Sequence, residues 1–191
     1  NIDRIDMAFL RRSLCKHQSG VSLLPHPTQL EDCQMIREEH LQRLINLLRA
    51  SYSHLILDVS KSFSPNDITA MQMADVIYLV VQLELSSLRN AVRMLMTLNN
   101  SASLADKVHV VVNRVVNGGE ITIKKAEEIL GAPIYWQIPE DVRQVTEARN
   151  AGIPLVEHAP RSKVNQSIAG LAVALAGKEN QEAPNKKSGG W

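Results

Sequence analysis

The sequence predicts an α/β fold in which a mostly parallel sheet is flanked by helices. Three observations lead there. Short apolar runs recur at Leu55–Val59, Val76–Val81, Val108–Val112 and Ile134–Ile138. Runs this apolar suit strands buried on both faces, as in a parallel sheet covered by helices. The stretches between them are long enough for helices and carry helical apolar spacing, which implies right-handed crossovers. Polar and acidic residues stand at the carboxyl ends of the runs: Asp58, Gln82 with Glu84, Asn113, and Pro139-Glu140-Asp141. Ligands of such sheets bind along that edge.

Each element has its own local signal. Ile5, Phe9 and Leu10 sit at helical spacing within residues 3–14. Gly20 breaks that pattern, and Val21–Pro25 reads as a short strand that Pro25 and Pro27 terminate. Residues 28–33 read as a polar loop. From Met35 to Ala50, the residues Ile36, Leu41, Leu44, Ile45, Leu47 and Leu48 form one helical face. After the Asp58 strand, Asn66 or Asp67 is expected to cap a helix through Ala74. Ser86 or Ser87 is expected to cap the next, with Leu88, Val92, Leu95 and Met96 inward. Gly118-Gly119 reads as a loop, and residues 121–130 as a helix stopped by Gly131. Pro139 closes the last strand. Residues 141–150 form a helix ended by Gly152, and residues 161–176 one ended by Gly177. The tail 178–191 is polar and Gly-rich, the composition of disorder, and holds no amphipathic helix for a membrane surface.

Composition excludes several function classes. Of 191 residues, 45% are apolar and 21% charged, with a net charge of +1. That suits one sizeable soluble domain and gives no strong nucleic-acid or membrane signal. Cys15 and Cys33 form no CxxC pair and no His cluster has zinc spacing, so they read as free thiols of a cytosolic protein. No apolar run approaches the roughly 20 residues of a membrane span. No secretory signal opens the chain. The first residue is Asn1 rather than Met, so the natural chain is expected to begin upstream.

The shared rim favours a nucleotide, although each residue alone has a plainer reading. Asp58 is placed to meet a ligand or its magnesium, or else it caps a turn. Asn113 offers an amide, or opens a turn. Glu140 and Asp141 belong to a proline-anchored ligand loop, or are helix N-terminal charges favoured by the dipole.

Several stretches together resemble the ParA/MinD family of deviant P-loop ATPases. Tyr52-Ser53-His54-Leu55-Ile56-Leu57-Asp58 resembles its Walker B strand. Ala74–Val80 and Leu85-Ser86-Ser87-Leu88-Arg89-Asn90-Ala91 follow in the family's order. Leu88–Ala91 points to the CpaE/TadZ pilus-assembly branch. Val111-Val112-Asn113-Arg114 resembles the strand whose Asn approaches the adenine. Ile138-Pro139-Glu140-Asp141 and Ala151–Leu155 resemble the closing base loop and the segment after it. The similarity runs from Asn1 to about Gly177, and order and spacing carry it rather than any single motif.

The resemblance implies a three-layer α/β/α domain of the MinD-like type, with residues 1–177 as its C-terminal portion and 178–191 as a disordered tail. It implies ATP and Mg2+ as ligands. Asp58 would hold the magnesium shell, directly or through water, and Asn113, Pro139, Glu140 and Asp141 would hold the adenine. It implies a cytoplasmic homodimer with nucleotide between subunits, recruited to the pole or inner membrane to position a pilus or secretion machinery. The alternatives are a non-hydrolysing localisation scaffold and a DNA-partition ATPase. Two departures bear on this. The family usually has a proline soon after the Walker B Asp, where Ser60 and Lys61 stand here. No Gly-rich lysine loop is present. In the family it follows a first strand lying N-terminal to everything in this chain. That strand sits beside the Walker B strand, so unpaired edges and exposed apolar faces are expected.

Overall fold

The computed structural model describes residues 6–25 and 35–182, with side chains through 177. Two compact units divide the chain, Asn1–Asp75 and Val76–Trp191.

In the first unit, α1 (Met7–Ser13) is capped by Asp6, whose carboxylate accepts the Phe9 N–H at 2.7 Å. A two-residue antiparallel hairpin follows, β1 (Cys15–Lys16) and β2 (Ser22–Leu23). The expected strand at 21–25 is thus half of a hairpin whose other half, Cys15–Lys16, has no apolar signal. The expected loop 28–33 lies outside the described residues. Helix α2 (Glu38–Arg49) buries Ile45 and Leu48, as its apolar face predicts.

It packs on α3 (Pro65–Met73) through polar ties. The Thr69 hydroxyl donates to Glu38, Asn66 Nδ2 donates to the Ile36 carbonyl, and Arg49 donates to the Met73 carbonyl and pairs with Asp75. The cap of α3 is Ser64, not Asn66 or Asp67. Pro65 fills the first helical position, where no N–H is needed, and Asp67 completes a capping box.

The segment 54–60 has no regular secondary structure and pairs with no strand among the described residues, against the expectation of a buried strand. Ile56 is 89% exposed. An apolar sequence favours extended backbone, but a strand needs a partner's ladder to become one.

The second unit holds a parallel sheet of order β3 (Ile77–Val81), β4 (Val108–Val115), β5 (Ile134–Pro139). The central strand buries Val110, Val111 and Val112 almost completely. On one face, Leu79, Val81, Val110 and Val112 pack with Leu88, Ala91 and Leu95 of α4 (Leu85–Asn99). Ala126 and Leu130 of α6 (Ile123–Leu130) complete that core, after the short α5 (Ala102–Ala105).

The register of α4 differs from expectation. Glu84 is its N-cap, while the Ser87 hydroxyl accepts the Gln82 N–H at 3.0 Å. Met96 is exposed, and Leu98 takes the inward place. The chain continues through α7 (Val142–Ala151) and α8 (Leu155–His158) to α9 (Lys163–Glu182). Gly177 does not end α9, which continues to Glu182. Helix α9 lies on β5, where the Trp136 indole N–H donates to the Ser167 carbonyl and hydroxyl, each at 3.1 Å. Trp136 aligns with Val111, on the face opposite Val110 and Val112, so helices flank the sheet on both sides. Val80, on the edge strand, is 58% exposed.

Candidate functional site

The carboxyl ends of β4 and β5 open into a cleft of about 460 Å³. Val115, Val116 and Asn117 form one wall. Gln137, Pro139 and Glu140 form the other, and Lys163 stands at the start of α9. The Lys163 side chain makes no hydrogen bond or ion pair among the described residues.

The cleft exists because the β4–β5 ladder changes register. Val112 pairs with Gln137, but the next pair is Val115 with Pro139, so β4 carries one extra residue. Such a bulge bends a strand and re-aims its side chains. Here Arg114 adopts φ 57°, a left-handed conformation that costs most residues energy and favours Gly. The Asn113 side-chain oxygen accepts the Arg114 N–H at 2.9 Å, and its NH2 group has no partner among the described residues. The Arg114 guanidinium reaches across to Glu140, with Nε at 2.9 Å and Nη2 at 2.8 Å from Oε1. The Glu140 N–H donates to the Val115 carbonyl at 3.0 Å. Asp141 caps α7, accepting the Gln144 N–H at 3.1 Å.

Of the residues singled out in the sequence, Pro139 and Glu140 line the cleft. Asn113 and Asp141 flank it at the ends of the same strands and do not line it. Asp58 lies in the other unit, exposed, with no hydrogen bond or ion pair among the described residues. Arg114 and Lys163 were given no role by sequence reasoning. The signal for Arg114 was available only as the polar pair that interrupts the β4 apolar run.

A few residues on from Asp58 stands a second, very different carboxylate. Asp67 is 8% exposed. It accepts from the Ser60, Ser62 and Ser64 hydroxyls at 2.7, 2.9 and 2.8 Å, and from the Ser60 and Ser64 N–H groups at 3.2 and 2.9 Å. Burial pushes its pKa up, but the hydrogen bonds from Ser60, Ser64 and Ser62 outweigh burial and hold it at about 2. The loop 60–64 is therefore tied to Asp67, whereas Asp58 is exposed. A lone exposed carboxylate fits magnesium, which keeps several waters and takes one or two carboxylates plus phosphate oxygens. The first unit also has an open cleft of about 370 Å³ that gathers Arg11, Lys16 and His17, a basic cluster the sequence did not announce.

These features define a class: a parallel α/β protein with an open cleft at the strands' carboxyl ends. The comparisons narrow it. No family model matches the chain. An uncharacterized ATP-binding protein of Methanocaldococcus jannaschii is 28% identical over 181 residues, 94% of this chain and 67% of its own length. A ParA family ATPase from Chlorobium tepidum has a TM-score of 0.84 at 25% identity, over 91% of this chain and 72% of its own. The septum site-determining protein MinD of Pyrococcus horikoshii, solved with Mg-ADP, gives 0.75 at 24% identity, over 95% and 73%. The fold is that of the ParA and MinD structures. Among the described residues no helix is long and apolar enough to cross a membrane.

Proposed function

We propose that the protein binds ATP with magnesium in the manner of ParA/MinD-type ATPases. The observation that carries this is the cleft at the carboxyl ends of β4 and β5, walled by Pro139 and Glu140 with Asn113 beside it. In this reading Asn113 and the Pro139-Glu140-Asp141 turn receive the base, and Asp58 holds the magnesium shell. Bound magnesium would neutralise charge developing on the phosphates. The protein would work as a nucleotide-linked homodimer. Its finer role, positioning a pilus or secretion machinery as in the CpaE/TadZ branch, rests on the Leu88–Ala91 resemblance.

A second reading, a localisation scaffold that keeps the fold without hydrolysis, is favoured by the loop 60–64. Its three hydroxyls are already committed to Asp67.

The test is competition of ATP and GTP for the full-length protein, parent against Asn113→Ala. The Asn113 NH2 group would pair with the N1 acceptor of adenine and oppose the N1–H of guanine. The variant should lose about 1–3 kcal/mol of that discrimination, with magnesium dependence unchanged. An unchanged ATP preference would assign Asn113 to the turn alone.

A further inference from the structure

We propose that Arg114 is a positioning residue for the cleft, clasping Glu140 so that the Pro139–Asp141 turn is held against the β4 bulge. The inference rests on the nucleotide reading above and adds a residue to it.

Its basis is geometric. Both walls of the cleft come from strand ends, where the ladder no longer fixes their separation. Past the Val115–Pro139 pair, only two links join them among the described residues. One is the Glu140 N–H to the Val115 carbonyl, and the other is the guanidinium on Glu140 Oε1. The same Arg114 donates its own N–H to Asn113. One residue thus connects the amide beside the cleft to the carboxylate that lines it.

Fold stability gives little reason for an arginine here. At φ 57° glycine would be the unstrained residue. The ion pair is also partly solvated, with the Arg114 side chain 51% and Glu140 28% exposed, and such pairs add little to folding. Strain kept without a stability reward is characteristic of residues that preorganise a site.

Arg114→Gly separates the two roles, because it relieves the backbone and removes the clasp. In the full-length protein, titrated with ATP and magnesium, Arg114→Gly should melt at or above the parent temperature. It should bind ATP about 3- to 10-fold more weakly, with kcat at saturating ATP unchanged. Glu140→Gln should weaken binding similarly, and the double variant should be no worse than the weaker single one. Arg114→Lys should recover part of the loss. If the parent binds ATP while Arg114→Gly and Glu140→Gln bind it equally well, the clasp is overturned and the nucleotide reading stands. A fall in melting temperature that parallels lost affinity overturns it too, as a structural brace. If the parent binds no nucleotide, the nucleotide reading fails and the clasp falls with it.

Discussion

Asp58 and Asp67 show how little residue type says about role. One lies within the apolar run Leu55–Val59 and the other follows it. One is exposed and without a partner among the described residues, and the other is buried under five donated hydrogen bonds. The sequence singled out Asp58 for chemistry and offered Asp67 only as a cap. Nothing in it showed that Ser60, Ser62 and Ser64 would converge on one carboxylate, because that depends on Phe63 turning the loop at φ 53°. The difference has a pH signature. The pKa of Asp67 is lowered from 3.8 to about 2. A depressed carboxylate stabilises the fold above its ordinary pKa and loses that contribution as pH falls through the folded value. The window is therefore about pH 4 down to pH 2, and the contribution on the order of 2 kcal/mol. Asp67→Asn should flatten stability across that window. At neutral pH it should cost about 1–3 kcal/mol, since an amide NH2 would face a backbone N–H. Urea melts of both proteins across the acid range check this. Parallel curves would assign the acid sensitivity to other groups.

At the scale of elements, helix ends were legible where geometry is local. Gly131 and Gly152 take φ 63° and 65°, as left-handed stops should. Gly177 has the same residue type but lies within α9. A glycine inside a helix costs only about 1 kcal/mol and stops nothing unless its backbone turns left-handed. Helix α9 also depends on Gly170, which allows close approach to β5. A Cβ there would lie 3.0 Å from Trp136 Cζ2 and 3.4 Å from Cη2. Gly170→Ala trades that crowding against a helix-propensity gain and should change stability by less than about 1 kcal/mol. Gly170→Leu has no room beyond Cβ and should destabilise by about 1–3 kcal/mol as α9 is pushed off the sheet. Chemical denaturation distinguishes the two. Equal stability of the Leu variant would mean that the α9–β5 contact is not part of the folded core.

Over the whole chain, the sheet of the second unit was readable because its strands are short apolar runs separated by helices. The segment 54–60 shows the same signal and stands unpaired among the described residues, since strand pairing is not a property of one segment. The candidate site was legible to the same extent: strand ends named Asn113, Pro139, Glu140 and Asp141, but the bulge that makes Arg114 a bridge depends on β4–β5 register. The nucleotide reading has a consequence for the entire protein. A ligand that binds only the native state stabilises it by mass action, about 2.7 kcal/mol at a hundredfold excess over Kd. For a chain of this size that is a rise in Tm of roughly 5–10 °C. ATP with magnesium should produce this shift in the full-length protein, GTP a smaller one, and ATP without magnesium a smaller one still. Asp58→Asn changes charge with little change of shape. It should leave the metal-free shift intact and remove the increment due to magnesium, about 1.4 kcal/mol for each tenfold in affinity. Thermal denaturation of parent and variant, with and without metal, reads all of these together. Equal shifts for ATP and GTP would sink base recognition at the β4–β5 cleft. A magnesium increment that survives in the variant would make Asp58 a turn residue. No shift with either nucleotide would leave the fold without the ligand proposed for it.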